Sequence, residues 1–195
     1  MSQCKLSENN LNDAFGHASE GVTMSFLELA KKRCSIRAFQ DKAVEPEKLN
    51  VILEAARVAP TACNRQPVRL LVVQSAESRA LLSQAGRTFE APLVIVVCAD
   101  RDTAWTRPHD GMKTTDIDAS ILTDHMMLAA TDLGLGSVWI CAFDPKALRE
   151  AFELPDNLEP INLLAIGYAD GDFKNPNRHD KERKALADIV SFDVL

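Results

Sequence analysis

Two short polar segments of this sequence have the residue types and spacing to bind an anion. In the first, Arg33, Ser35 and Arg37 stand at alternating positions. Successive side chains of an extended chain point to opposite sides, so these three are expected to share one side. A guanidinium group is a rigid, planar set of donors that matches a phosphate or another planar anion. This segment by itself therefore suits a phosphate or another planar anion.

The second polar segment is Pro60–Pro67, which follows after one predicted helix. Its short polar side chains and the carboxamide of Asn64 suit the heteroatoms of a polar ring or a polyol, because an amide both donates and accepts hydrogen bonds. Together, the two segments predict a phosphorylated cofactor that is held by loops.

Other motifs for binding and catalysis are missing from the sequence or stand in the wrong order. Gly134 and Gly136 follow a predicted helix and precede a predicted strand, the reverse of their order in a dinucleotide-binding fold. No Gly-x-Ser-x-Gly elbow or Gly-Lys-Ser/Thr loop occurs. No set of His, Cys and carboxylate residues has metal-site spacing, so no metal is expected.

Hydrophobic periodicity predicts helices that alternate with short, buried strands. The longest helix is apolar on several faces, which predicts that it is buried, and it ends at a glycine. The predicted helices span residues 25–33, 47–58, 77–85, 114–133 and 144–152, the predicted strands span 69–74, 93–99, 137–142 and 160–168, and residues 101–113 are predicted to form a loop.

Bulk properties restrict the class of protein and its partners. A chain of 195 residues, 46% of them hydrophobic, suits one domain. A formal net charge of −6 argues against a nucleic-acid partner, because phosphate backbones require a basic surface. No apolar run approaches the ~20 residues of a membrane span, so no membrane partner is expected.

The cysteines and the first residues bear on location and domain organisation. The five cysteines, at positions 4, 34, 63, 98 and 141, are odd in number and scattered. Such a set fits a reducing compartment better than a disulfide framework, so we expect a cytoplasmic protein. Residues 1–23 are polar and lack an apolar signal core, and we expect a mobile extension there, followed by a single domain at 24–195.

Several ordered blocks resemble the nitroreductase family of FMN-dependent oxidoreductases. That family has an Arg-x-Ser-x-Arg block, a Val-x-x-Glu-x-Leu helix and an Ala-Pro-Ser/Thr-x-x-Asn-x-Gln-Pro turn, and later blocks match as well. The matching segments are Arg33–Arg37, Val44–Leu49, Ala59–Pro67, Leu128–Ile140 and Lys181–Val190, so that the resemblance covers the chain from about Met24 to Val190.

The resemblance implies an α+β fold, a three-layer α/β/α sandwich around a central, mainly antiparallel sheet. It implies a homodimer with tightly bound FMN at the subunit interface and the long helix at the heart of the dimer. The implied activity takes hydride from NADH or NADPH and reduces nitroaromatics, quinones or related small-molecule acceptors by a ping-pong mechanism. The alternative is a flavin-binding or flavin-handling protein of the same fold without nitroreductase activity in the cell.

Five cationic or hydroxyl side chains are implied contacts of the cofactor. By resemblance, Arg33, Lys181 and Arg183 meet the phosphate, and Ser35 binds the phosphate or the ribityl chain. Arg37 is expected at the pyrimidine edge of the flavin, where a fixed positive charge stabilises the reduced cofactor.

A turn is the implied contact from the other subunit, with Gln66 as its support. The family often has Trp after Gln-Pro, whereas this chain has Val68, whose smaller side chain offers less packing surface at this turn. The turn residues implied to contact the flavin are Pro60, Thr61, Ala62 and Asn64.

The remaining implied contacts are Ile140 and Cys141, whose backbone is expected near flavin N5. Relatives commonly have Gly at position 141, and a backbone amide needs no particular side chain. A redox-active thiol at Cys141 is the alternative, although no Cys-x-x-Cys pair accompanies it. Trp105 and His109 are expected to line the substrate mouth. No catalytic side chain is assigned, because the hydride chemistry belongs to the flavin.

Overall fold

The computed structural model describes residues 24–194, so the prediction for residues 1–23 lies outside the described residues. Helices and strands alternate along the chain as the periodicity predicted. The helices are α1 (Phe26–Lys32), α2 (Pro46–Val58), α3 (Ala76–Ala85), α4 (Thr115–Asp132), α5 (Pro145–Ala151) and α6 (His179–Glu182), and the strands are β1 (Val68–Val73), β2 (Leu93–Asp100), β3 (Gly136–Ile140) and β4 (Leu158–Gly167).

The four strands form one sheet in the order β1-β2-β4-β3, and every neighbouring pair is antiparallel. The two central strands are β2 and β4, and a register shift between Val97 and Cys98 interrupts their pairing. Strand β3 lies at one edge, where its free side is available to another segment of the chain.

Side chains of the central strands alternate between two apolar layers, one on each face of the sheet. Ile95 and Leu164 pack with α2 and α4, whereas Val96 and Leu163 pack with α3 and α5. All eight residues of β2 are buried. This arrangement confirms the predicted three-layer α+β sandwich with an antiparallel sheet, and it explains why the strand sequences are continuously apolar.

Local signals set the ends of the helices that flank the candidate site. Ser25 and Glu28 form a reciprocal capping box at the start of α1, and Asp144 accepts from two backbone amides at the start of α5. Pro46 opens α2 at the position where a missing N–H costs nothing. Helix α1 ends at Lys32, and Arg33 is its C-cap residue, whose N–H donates to the Leu29 oxygen at 3.0 Å.

Helix α4 runs for 18 residues across one face of the sheet, and Met126 and Ala130 are completely buried there. Near its start Ile117 is 48% exposed. Within residues 24–194, no helix combines the length and apolar character that crossing a bilayer requires.

Residues 101–113, which were predicted to form a loop, contain no helix or strand, and the second half of this segment folds back as a small hairpin. Thr106 and Lys113 form an antiparallel bridge, and the N–H of Arg107 donates to the Met112 oxygen at 2.8 Å. The hairpin is exposed, so no alternation of apolar residues marks it in the sequence.

Candidate cofactor-binding site

The Arg33–Arg37 segment lies along the free edge of β3. The N–H of Ile36 donates to the Ser137 oxygen at 2.9 Å, and Ser35 pairs with Ser137 in a parallel bridge. Cys34 and Ile36 are 3% and 9% exposed and face the core. The alternating side chains of Arg33, Ser35 and Arg37 are thereby directed away from it.

Gly136 permits this close approach of the segment to the edge strand. A Cβ atom at position 136 would lie 2.7 Å from Cγ1 of Ile36 and 3.0 Å from its Cβ. Those distances are shorter than carbon atoms tolerate, so any larger residue would displace the segment.

The C-terminal tail returns to the same place from the far end of the chain. Arg178 donates through Nη2 to the main-chain oxygen of Arg33 at 2.6 Å and through Nη1 to that of Lys31 at 3.1 Å. The Arg178 side chain is only 10% exposed. Its Nε also lies 4.0 Å from Oε2 of Glu182. Because its guanidinium donates to the carbonyl oxygens of Lys31 and Arg33, Arg178 fixes the tail against the end of α1.

His179 links one of the predicted phosphate ligands to the same point. Its Nε2 lies 3.1 Å from the Lys31 oxygen, and its Nδ1 lies 3.4 Å from Nε of Arg183. A guanidinium only donates, so Nδ1 is the acceptor and Nε2 carries the proton that goes to the carbonyl. Lys181 is exposed on the short helix that joins these residues.

The turn at residues 61–66 has an unusual backbone. Cys63, Asn64 and Gln66 all have φ between 50° and 52°, in the left-handed region that costs most residues about 1–3 kcal/mol. The turn holds itself through the Thr61 hydroxyl, which accepts from the Gln66 N–H at 3.0 Å, and through the Gln66 amide, which donates to the Asn64 oxygen at 3.3 Å. The Asn64 side chain is left exposed.

A buried carboxylate fixes this turn to α4. Oδ1 of Asp118 accepts from the Ala62 N–H at 2.8 Å, and Oδ2 accepts from the Thr114 hydroxyl at 2.9 Å. Asp118 is completely buried. A carboxylate in such a place needs these donors, and in return it sets the position of the turn.

The end of β3 presents the third predicted contact. Ile140 is buried, whereas Cys141 is exposed in the loop that joins β3 to α5. The Phe143 N–H donates to the Cys141 oxygen at 3.2 Å, so the loop folds back immediately.

The other cysteines differ in environment. Cys63 is exposed, and Cys34 and Cys98 are buried. Burial raises the pKa of the Cys98 thiol to about 11, which makes it unreactive at neutral pH. Within residues 24–194, no three His, Cys, Asp or Glu side chains cluster closely enough to hold a metal ion.

A cleft of about 520 Å³ opens beside the 61–66 turn. Trp105, which was predicted to line a substrate mouth, is part of its wall, but the exposed His109 is not among the lining residues. The residues around the cleft are Arg65, Asp102, Thr103, Ala104, Trp105 and Thr106.

The structure therefore gathers the predicted site residues into two groups. The Arg33–Arg37 segment and the tail form the first group, beside the start of β3, which follows the end of α4, and Ile140 and Cys141 lie at the other end of that strand. The second group consists of residues 60–66 and Trp105. It lies near the start of α4, where Asp118 and Thr114 are found. Sequence reasoning missed Asp118, Arg178 and Gly136, and Asp118 is one of four aspartates in α4, so nothing local in the sequence distinguishes it.

Comparison with known proteins places this fold and site in one family. The model of the nitroreductase family matches residues 30–86 and 78–168. The chain belongs to the nitroreductase family, as its motifs predicted.

Similar proteins include two solved structures and one enzyme. A nitroreductase family protein from Clostridium difficile 630 is 56% identical and superposes with a TM-score of 0.87 over 88% of this chain and all of that one. An FMN-dependent nitroreductase from C. difficile R20291 is 31% identical, with a TM-score of 0.71, over 86% of this chain and 98% of that one. The FMN reductase [NAD(P)H] of Bacillus subtilis is 34% identical over 162 residues, which cover 73% of this chain and 65% of the relative.

Proposed function

We propose that this protein is an FMN-dependent oxidoreductase that takes hydride from NADH or NADPH and reduces nitroaromatics, quinones or related acceptors by a ping-pong mechanism. Membership of the nitroreductase family and similarity to an FMN-dependent nitroreductase and an NAD(P)H-dependent FMN reductase support this activity.

The observation that carries the proposal is a contact between two segments that are far apart in the sequence. The hydrogen bond from Arg178 to the Arg33 oxygen joins residues 145 positions apart. It brings the segment of Lys181 and Arg183 to the end of α1, where Arg33 begins its own segment. Neighbouring segments thus carry three cations from distant parts of the sequence, which supports a dianionic phosphate as their shared ligand.

The residues of the first group fit FMN. Arg33, Lys181 and Arg183 would hold its phosphate, Ser35 would bind the phosphate or the ribityl chain, and Arg37 would lie at the pyrimidine edge. Bound FMN would supply the hydride acceptor and donor. The backbone at Ile140 and Cys141 would position the reactive part of the ring, and Arg37 would stabilise the reduced form through its fixed charge.

The second group would act on the flavin of another copy of the chain. It touches α4 through Asp118 in the first turn, whereas the first group touches β3, which begins where α4 has ended. An 18-residue helix is about 27 Å long, so groups attached near its opposite ends would not reach one flavin within a single chain. Two copies related by a twofold axis with antiparallel α4 helices would bring Asn64 of one copy to the Arg33–Arg37 segment of the other.

Exposed apolar side chains support such a dimer. Phe26 and Leu27 of α1 are 72% and 63% exposed. The tail that follows α6 exposes a further set of apolar residues, which a partner would cover. These are Leu186, Ile189, Val190, Phe192 and Val194.

The assembly has a direct test in solution. A dimer should have a mass near twice 21.4 kDa and should carry FMN. A monomer that retains a full complement of FMN would contradict the proposed placement of the cofactor between subunits.

The activity is tested by mixing the flavin-loaded protein anaerobically with NADH or NADPH and following flavin absorbance. Rapid bleaching that a nitroarene or a quinone reverses is the expected result. Failure to bleach with either nucleotide would overturn the oxidoreductase proposal. A colourless protein that takes up no added FMN would overturn the cofactor assignment as well.

A second candidate function follows from the B. subtilis relative, whose name gives FMN itself as the substrate. A flavin-handling protein would use free flavin as its acceptor and would leave nitro compounds untouched. In the same anaerobic assay, reoxidation by added free FMN but not by a nitroarene would favour this candidate.

A further inference from the structure

The cleft beside the 61–66 turn has the chemical make-up of a nucleotide site. Its volume of about 520 Å³ falls within the ~300–1,000 Å³ of small-molecule sites. It combines an indole ring, a guanidinium, a carboxylate and two threonines, from Arg65 and residues 102–106. Planar rings stack on indole, phosphates pair with guanidinium, and ribose hydroxyls donate to carboxylates.

Main-chain hydrogen bonds hold the walls of the cleft in place. The Trp105 oxygen accepts from the Thr114 N–H at 3.0 Å, and the Thr106–Lys113 bridge closes the hairpin behind it. The Asp102 N–H donates to Oδ1 of the Asp100 side chain at 2.9 Å, and the Arg65 N–H donates to the Ala62 oxygen at 3.1 Å. A ligand would therefore meet a preformed surface, which lowers the entropic cost of binding.

Arg65 is the arginine in this region whose charge is available. Arg57 and Arg107 are paired with Glu54 and Asp110, and Arg69 donates to two carbonyl oxygens. Within residues 24–194, the Arg65 side chain has no ion-pair or hydrogen-bond partner of this kind. Its exposed guanidinium lines the cleft and keeps its donors for a ligand.

We infer that this cleft binds the adenosine diphosphate half of the reduced nicotinamide donor, with Trp105 stacked on the adenine and Arg65 paired with the pyrophosphate. The inference rests on the proposed function, since it specifies where the donor is held. The cleft adjoins the turn that carries Asn64, so a donor anchored here lies beside the residues proposed to meet the flavin.

Asp102 decides between the two nicotinamide donors. Its carboxylate accepts from the ribose hydroxyls, as acidic residues do in other sites that bind NADH. The same charge repels the additional 2′-phosphate of NADPH. The donor is therefore NADH.

The test compares a donor that has the nucleotide with one that lacks it. Anaerobic stopped-flow reduction of the flavin-loaded protein is measured with NADH and with N-benzyl-dihydronicotinamide, for wild type, Arg65→Ala and Lys146→Ala. Lys146→Ala is the control, because it also removes one positive charge, from an exposed residue of α5 that pairs with Glu150. In Arg65→Ala, the dissociation constant for NADH should rise about tenfold, as expected for one lost charge-assisted contact.

Several outcomes separate this inference from the proposed function. FMN content and reduction by N-benzyl-dihydronicotinamide should be unchanged in Arg65→Ala, and Lys146→Ala should behave as wild type. An unchanged dissociation constant for NADH, or an equal loss with both donors, overturns the inference and leaves the proposed function standing. Failure of wild type to be reduced by either donor overturns the proposed function itself.

The choice of donor has its own measurement. Wild type should be reduced at lower concentrations of NADH than of NADPH. In Asp102→Asn, the difference between these two concentrations should be smaller. A wild-type preference for NADPH, or a preference that Asp102→Asn leaves unchanged, overturns the role given to Asp102.

Discussion

Oδ1 of Asp118 lies 2.8 Å from the main-chain nitrogen of Ala62, which joins the first turn of α4 to a turn 56 residues earlier in the sequence. The carboxylate is completely buried and receives a second hydrogen bond from Thr114. The turn that it holds includes residues in left-handed backbone conformations, which other parts of the structure must stabilise. Asp118 thus keeps a strained turn in the place where the proposed function needs it.

Asp118→Ala should lower the free energy of unfolding by about 1–3 kcal/mol, because the Ala62 N–H and the Thr114 hydroxyl both lose a buried acceptor. Urea denaturation measures the change. Asp116→Ala, at an exposed position in the same helical turn, is the matched control and should stay within about 0.5 kcal/mol of wild type. Equal effects of the two changes would contradict the role of Asp118.

Arg33→Ala should weaken FMN binding by about 2–4 kcal/mol, the range for removing one side of a hydrogen-bonded charge pair. Titration of the apoprotein, followed by quenching of flavin fluorescence, measures the affinity. Lys146→Ala removes an exposed positive charge on α5 and should leave the affinity for FMN unchanged. If Arg33→Ala purifies with full FMN, the phosphate role of Arg33 is wrong.

Arg178→Gln should weaken FMN binding although Arg178 is not itself a proposed ligand, because its hydrogen bonds to the carbonyls of Lys31 and Arg33 hold the tail in place. The flavin titration and limited proteolysis of the tail should change together. Arg178→Lys, which keeps the charge but not the two-pronged geometry, should recover only part of the affinity. Weaker FMN binding with an unchanged rate of tail cleavage would contradict the positioning role.

Gly136→Ala should displace the Arg33–Arg37 segment from β3, because the new Cβ would lie 2.7 Å from Cγ1 of Ile36. Overpacking of this kind costs about 1–3 kcal/mol in the free energy of unfolding, and FMN affinity should fall with it. A double-mutant cycle with Ile36→Ala tests the contact, since the two changes together should cost less than their sum. Strict additivity of the two changes in unfolding free energy would show that the contact with Ile36 does not cause the loss of stability in Gly136→Ala.

Acid should weaken the structure through Glu45. The Tyr168 hydroxyl donates to the Glu45 carboxylate at 2.7 Å, and this hydrogen bond lowers the pKa of Glu45 to about 2. A carboxyl group with a lowered pKa stabilises the fold fully above its ordinary pKa of 4.5, and this contribution is lost as the pH falls from there towards 2.

Tyr168→Phe removes that hydrogen bond and provides the test. Thermal unfolding of wild type and Tyr168→Phe is compared between pH 7 and pH 3. Wild type should be the more stable at neutral pH, and the difference between the two should shrink below pH 4.5. A difference that does not depend on pH would show that the Glu45 carboxylate is not its source.

Much of the fold could be predicted from the sequence because its signals are local. Continuous apolar runs such as Leu93–Ala99 indicated strands buried on both faces, and caps and prolines marked the helix ends. The alternation of Arg33, Ser35 and Arg37 with buried residues also followed from the period of an extended chain. The pairing of Thr106 with Lys113 inside the predicted loop was not foreseen from the sequence, because both residues are exposed.

The sequence by itself determined the family, the order of the elements and the alternation of Arg33, Ser35 and Arg37 with buried residues. Only the tertiary structure decided that Arg178 fixes the tail to Arg33, that Asp118 holds the turn at Ala62, and that Arg65 and Trp105 line the same cleft. Periodicity and capping depend on neighbours a few residues away, whereas these contacts join residues 40 to 145 positions apart. Their geometry exists only once the layers have packed together.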